Sequence, residues 1–434
     1  MTEAQTLINE ASPPSITPKR LKSLQKLGVL CGFAAGAWLG AAEAPTKLVS
    51  IGVSPLVISF MMVLGVFLAR WSVPALLQGM SHVKEDVRKA PHLIVWGILA
   101  GCLWAVANTL TIFAIRNIGL SIAFPLWNSN SLLGIFWGFV LFNELRNAGR
   151  LRWLGVLGGA TLMFIGGVLL AAASSVQAQG HAMLGIAGAL GAGVLWGTMY
   201  IPYRKAYLTG MSPLSFVTFF AIGELGMITA LAIVYTGGIH SLWHQLVLSQ
   251  GVLFWLVLGG VMWVIGDIFQ QYAAKYIGIS RGIPLSNTNQ LWGLLWGILV
   301  FAELRGASRT IHFEVIGGSI LMALGAGAVA ASSATEKEHS RWKDAARRET
   351  HRYNLDQDYV LARMAGEAAG ARHRRTLLDW LLAGVSTAVI VAFALMAEIP
   401  RAEPHWGAMA ALLAAMFVLL AISGLALWRA TKFT

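Results

Sequence analysis

Cysteine and charge are the two things this chain nearly lacks. Only Cys31 and Cys102 are cysteines among its 434 residues, so no disulfide framework and no thiolate metal cluster can be built, and both read as buried free thiols. Charged residues make up 12% of the chain and acidic ones number only 20, against roughly 25% charge in an ordinary soluble domain. No H-E-x-x-H, no phosphate-cradling G-x-x-x-x-G-K-[ST] and no paired catalytic acids stand between the apolar stretches. No enzyme chemistry, cofactor or metal is therefore expected, and a membrane enzyme is only a remote alternative.

In place of charge the chain has apolar length. Hydrophobic residues reach 56%, and stretches of about 20 recur, the number a helix needs to cross a ~30 Å hydrocarbon core. Twelve spans are expected, over residues 27–45, 54–70, 93–115, 120–142, 152–173, 184–203, 213–236, 250–273, 279–301, 313–333, 377–397 and 406–428. The net charge of +12 could suggest nucleic acid, but its distribution points to a bilayer instead. With the N-terminus inside, all but five of the 32 Lys and Arg residues fall in the tails and inner loops, the exceptions being Lys47, Arg116, Arg305, Arg309 and Arg401. That is the positive-inside bias of a multi-pass protein, expected in a bacterial cytoplasmic membrane with both termini cytoplasmic.

Shifted by 158 residues, the chain matches itself: Trp38, Lys47, Gly52, Ser54 and Pro55 fall on Trp196, Lys205, Gly210, Ser212 and Pro213. At a shift of 159 the match continues, pairing Trp104 with Trp263, Gly119 with Gly278, Pro125 with Pro284, Asn128 with Asn287, Asn130 with Asn289 and Glu144 with Glu303. Each duplicate holds five spans, an odd number, so the second enters the membrane from the opposite side. Inverted repeats are the plan of secondary transporters, whose halves exchange conformations around a midplane site. The repeat also argues that Leu27–Ala44 is a retained span rather than a cleaved leader. The expected organisation is a cytoplasmic tail (1–26), a first five-span repeat (27–175), a second, inverted one (184–333), a charged, solvated and partly helical cytoplasmic linker (334–376), with a lipid-headgroup or regulatory contact as its alternative, and an appended transmembrane pair (377–428).

Polar side chains inside spans are costly and so mark an interior path. Trp104 and Asn108 share one helix face one turn apart, and Trp263 and Asp267 repeat the arrangement. An indole stacks on the apolar face of a sugar ring while the amide or carboxylate bonds its hydroxyls, although helix packing explains the same residues. Asn128 and Asn130 follow Pro125, and Ser286, Asn287, Asn289 and Gln290 follow Pro284, so a helix broken by proline would expose amides near the midplane. Trp196 and Tyr200 line span 6, and Lys205 and Lys47 are read as snorkelling outward. Asp267, Glu224 and Glu43 are candidate proton carriers, and Glu144 and Glu303, beside Arg146 and Arg305, are candidate helix-end locks.

The run Trp263, Gly266, Gly278-Ile279-Ser280-Arg281, Pro284-Leu285-Ser286, Gln290 and Glu303 resembles the glucose/ribose porter family within the drug/metabolite transporter superfamily. The resemblance implies ten spans as inverted halves and sugar uptake driven by an ion gradient, with Arg281, Ser286 and Gln290 as shared motif residues. Asp267 stands where that family has an amide, and the linker and last two spans are additions. The alternative on the same scaffold is export of an amino acid, drug or nucleotide sugar.

Overall fold

The computed structural model describes residues 18–42, 44–45, 53–172, 182–302, 304–306, 308–332, 334–366, 375–398 and 404–433. Glu43 and Glu303 lie outside the described residues, as does most of the N-terminal tail. Regular structure among them is entirely helical. The elements are α1 (Pro18–Ala41), α2 (Pro55–Leu77), α3 (Met80–Lys89), α4 (His92–Trp127), α5 (Asn130–Phe142), α6 (Arg150–Ala172), α7 (Ala182–Leu208), α8 (Pro213–Thr236), α9 (Ile239–Leu248), α10 (Leu253–Ile277), α11 (Ile279–Ser286), α12 (Asn289–Leu295), α13 (Arg309–Ala331), α14 (Glu336–Tyr353), α15 (Gln357–Met364), α16 (Leu377–Leu395) and α17 (Trp406–Thr431).

Ten of these are long and apolar enough to cross a membrane: α1, α2, α4, α6, α7, α8, α10, α13, α16 and α17. The other two expected spans are broken. The chain runs as one helix of 36 residues from His92 to Trp127, straight through the expected loop at 116–119, and only then breaks at Asn128 and Ser129 before α5. In the second half the break comes twice: at Gly278, whose φ of 82° only glycine adopts easily, and again at Asn287 and Thr288 between α11 and α12.

Small residues bring the central helices into backbone contact. A Cβ at Gly101 of α4 would lie 2.0 Å from the Phe220 carbonyl oxygen of α8, and one at Gly223 of α8 would lie 2.0 Å from that of Ile98. At the crossing of α2 and α10, a Cβ at Gly260 would lie 2.0 Å from the Met62 carbonyl oxygen and one at Gly65 2.2 Å from that of Val257. Without a hydrophobic force between helices in lipid, such close approach is how they associate. Helices α1 and α10 pack along each other, as do α4 and α7, and α6 and α13. Helices α16 and α17 lean on α2 and α1 from outside, with Trp380, Leu395, Phe417 and Ile422 exposed, as surfaces facing acyl chains require.

The expectation of a solvated linker fails for residues 336–366. Helices α14 and α15 bury Trp342, Ala345, Ala346, Val360 and Leu361 against one end of the bundle. Thr335 caps α14 through the Glu338 amide, and Asp356 caps α15. Their buried faces recur at helical spacing, so a charged sequence still carries an apolar stripe.

Candidate functional site

The interior holds a buried ion triad. Arg70, the last residue of the expected span 54–70, lies well within α2, which runs on to Leu77. One guanidinium nitrogen, Nη1, donates to Glu224 Oε2 of α8 at 2.6 Å, and the other, Nη2, to Asp267 Oδ2 of α10 at 2.6 Å. All three side chains have 0% exposure. Phe220 and Trp263 cover the guanidinium, with ring centroids 4.3 and 5.1 Å from its carbon. The second Asp267 oxygen accepts from Gln271 Nε2 at 3.1 Å, and Tyr207 donates its hydroxyl to Gln271. Glu224 Oε1 is buried and has no partner.

Trp104 and Trp263 meet edge to face at 5.1 Å beside this triad, so the structure joins three of the expected residues (Trp104, Trp263, Asp267) with Glu224. Asn108 is separate from them in its bonding: its amide donates to Ser59 Oγ of α2 at 2.5 Å. The partner that sequence reading missed is Arg70.

A second cluster forms where the broken spans meet. Asn287, at the gap after α11, donates to Asn130 Oδ1 at 3.2 Å and to Ser131 Oγ, both at the start of α5. Asn130 in turn donates to the Tyr200 hydroxyl of α7 at 3.3 Å. Ser286 accepts from Gln270 at 2.6 Å. Trp196 packs edge to face on Trp127 at 6.1 Å, and Asn128 Nδ2 and Asn289 Oδ1 are buried without partners. Gln290 is half-buried, next to Gly167 of α6. Free amide atoms at a helix break can bond a solute, because the backbone there is already out of register.

The end of the bundle under α14 and α15 is closed by ion pairs. Glu144 accepts from the Ile279 and Ser280 amides at 3.2 and 2.9 Å, capping α11, and pairs with Arg204 at 2.7 Å. The expected Arg146 partner is instead exposed and rests over Phe139. Asn143 and Leu145 flank Glu144 at φ of 58° and 61°, and this turn faces the carboxylate inward. Arg281 holds Glu338 of α14 through both nitrogens at 2.7 and 2.9 Å, and the Leu145 amide donates to the same carboxylate at 2.8 Å. Lys205 does not snorkel to water: its Nζ pairs with Glu349 at 2.7 Å.

Arg363 of α15 pairs with Asp86 of α3 at 2.7 Å. Burial pushes the Asp86 carboxyl up, but Arg363, His82 and the Ser212 amide outweigh it and hold it below the usual range. Burial, helped by the Arg204 and Lys343 cations, pushes His339 of α14 down to about 4, so it docks as the neutral imidazole.

Glu144→Gln should therefore destabilise the protein by about 3 kcal/mol or more, because Arg204 is left buried without its counter-charge. Arg146→Ala should change stability by no more than about 0.5 kcal/mol, the usual size for an exposed site. Melting curves of the purified variants check both, and equal losses would restore the Glu144–Arg146 lock.

The region around these clusters has relatives. Residues 189–355 match the family model described as sugar transport protein. A Listeria monocytogenes serovar 1/2a protein provisionally named for sugar uptake is 26% identical over 237 residues, covering 52% of this chain and 75% of its own. A Streptococcus pyogenes serotype M6 protein named in the same provisional way is 25% identical over 227 residues, covering 50% and 74%. The family stretch contains Tyr200, Glu224, Asp267, Arg281 and Asn287, and also reaches α14 with Glu338. Arg70, Asn108 and Asn130 lie before it.

Proposed function

We propose that this chain takes up a sugar, most simply a monosaccharide, by alternating access, with the broken spans as its binding region and the Arg70 triad as its coupling charge. The observation that carries the reading is the meeting of the two broken spans at Asn130, Ser131 and Asn287, in a chain whose residues 189–355 match a sugar transport family. Amides at 128, 130, 287, 289 and 290 with Ser286 and Tyr200 supply the donors and acceptors a polyol needs, and Trp196, Trp104 and Trp263 supply aromatic faces.

The two halves act as inverted five-span repeats, 27–175 and 184–333, with 377–428 an added pair and twelve membrane crossings in all. Packing supports this. The glycine crossing of α4 on α8 has its counterpart in that of α10 on α2, and the four glycines and four carbonyl residues correspond one to one under the shifts of 158 and 159. The tails and linker face the cytoplasm, a reading supported by the distribution of Lys and Arg. The linker end would then be the inner mouth, closed here by Glu144, Arg281 and α14.

Coupling follows from charge. One guanidinium faces two carboxylates, so the buried triad carries one surplus negative charge unless it holds a proton. A proton taken from one side makes it neutral.

Uptake of labelled sugars into proteoliposomes, with and without an inward proton gradient, is the test. Saturable uptake of one sugar class, raised several-fold by the gradient, is expected. Failure of every sugar, with transport of amino acids or nucleotide sugars instead, would replace this reading by metabolite export.

A further inference from the structure

At the linker end of the bundle a cavity of about 510 Å³ opens beside the turn between α5 and α6, with Phe139, Arg146, Gly149, Arg150, Trp153 and Arg341 among its walls. That is the size of a small-molecule site. Its three arginines come from two parts of the chain: Arg146 lies in the turn, Arg150 begins α6, and Arg341 stands on α14 between the buried Glu338 and Trp342. The aromatic wall is fixed by packing. Phe139 meets Trp153 edge to face at 5.7 Å, and the Arg146 guanidinium lies over the Phe139 ring at 5.5 Å. A Cβ at Gly149 would meet nothing within 4 Å, so there is open space beside Arg150.

The positive charge here is not neutralised from within. Both acids next to the pocket are turned away from it: Glu144 pairs inward with Arg204, and Glu338 with Arg281. Among the described residues Arg146 and Arg150 have no carboxylate within ion-pair distance, and Arg341 has only Asp344, at 3.9 Å, which Arg347 approaches at 3.7 Å. Beside the charges runs a surface suited to acyl chains. Arg150, Trp153, Leu154 and Leu157 fall on one face of α6 at helical spacing. Leu154 and Leu157 are exposed on this membrane-crossing helix, as are Phe136 and Val140 on α5. A free phosphate would use the arginines alone, whereas an anionic phospholipid uses the arginines for its headgroup and the stripe for its chains.

We propose that this pocket binds the phosphodiester headgroup of an anionic phospholipid, with Arg146, Arg150 and Arg341 around the headgroup and the acyl chains along Trp153, Leu154 and Leu157. A phosphodiester spreads its charge over two free oxygens and the pocket is far wider than one ion, so the three guanidinium groups need not meet at a single point. Bound there, the lipid fastens α14 to the α5–α6 turn. The proposal requires that the linker end lie at a membrane face, and it is independent of which solute is carried.

The test melts the full-length protein, delipidated in a neutral detergent, after addition of phosphatidylglycerol or phosphatidylcholine as mixed micelles. Phosphatidylglycerol should raise the melting temperature over phosphatidylcholine by roughly 3 °C or more, saturating with lipid as mass action requires. The variant Arg146→Gln, Arg150→Gln, Arg341→Gln is changed only at exposed positions, so it should melt near the parent in detergent alone but lose the difference between the two lipids. The variant Lys19→Gln, Lys22→Gln, Lys26→Gln removes the same charge from exposed positions of α1 that do not line the pocket. It should keep the difference, which separates the site from the general attraction of a basic protein to anionic micelles. Glycerol phosphate, which carries the phosphate without the chains, should give no shift. Equal melting of the parent in both lipids, an undiminished response in the arginine variant, an equal loss in the lysine variant, or the full shift with glycerol phosphate alone would each overturn the proposal.

Discussion

Arg70→Met is expected to be the most damaging single substitution in the membrane interior, with a loss of about 3–5 kcal/mol, because it strands two buried carboxylates. Glu224 and Asp267 both take their short ion pair from this one guanidinium, at 2.6 Å each, and neither has any exposure through which water could substitute. Lysine would recover part of the loss: a single ammonium supplies charge but cannot hold two carboxylates in the fixed fork of a guanidinium. The triple variant Arg70→Met, Glu224→Gln, Asp267→Asn should fold better than Arg70→Met alone, since no buried charge remains. Detergent melting temperatures and the monodisperse fraction measure all three. An Arg70→Met protein as stable as the parent would mean that the triad is not a closed ion cluster in the membrane.

The second large effect is expected at Glu224. Both oxygens of Asp267 are bonded, one to Arg70 and one to Gln271, while Glu224 Oε1 is buried without a partner. If the triad couples transport as proposed, its proton is expected at Glu224 Oε1, where no existing bond must be given up. Glu224→Gln keeps the shape and leaves Arg70 paired with Asp267, so substrate exchange across liposomes should persist. Gradient-driven accumulation should fall to the equilibrium level, and the pH dependence of uptake should vanish. Asp267→Asn should do worse, losing exchange as well, because the amide offers one acceptor where Arg70 and Gln271 need two, and an unmet buried donor costs about 1–3 kcal/mol. If instead Asp267→Asn exchanges freely and Glu224→Gln still accumulates substrate, the proton resides on Asp267.

Glu224 and Asp267 were legible in the sequence as acids inside apolar stretches, a rare and costly placement. Their shared partner was not. Arg70 closes the apolar window 54–70, so a hydropathy reading sets it at the membrane edge and counts it with the inner-loop cations rather than as a buried partner. The signal against that was the run Trp71-Ser72-Val73-Pro74-Ala75-Leu76-Leu77, which carries the helix seven residues further. The tie between Asn130 and Asn287 was half legible: prolines at 125 and 284 announced disturbed helices, but the breaks fall at Asn128 and Asn287, three residues later.

Glu144 and Arg146 show how sequence neighbours mislead. Two residues apart across a left-handed turn, they point to different surroundings, and the partner of Glu144 comes from Arg204, 60 positions away. Likewise Lys205 looked like a snorkelling lysine only because its acidic partner, Glu349, sits in a segment that composition marks as solvent-exposed. The amphipathic stripe Glu338, Trp342, Ala345, Ala346 was there to be read at helical spacing.

By itself the sequence determined that this chain lives in a bilayer, that its structure is helical, and that its two halves share one pattern. Those follow from local quantities: apolar length against bilayer thickness, and residue identities at fixed shifts. Tertiary structure alone decided which charges neutralise one another, that the helix breaks meet, and that the charged linker is packed against the bundle rather than solvated. Such facts depend on distances between residues far apart in the chain, and in a low-dielectric interior a few ångströms decide whether a charge is paired or stranded.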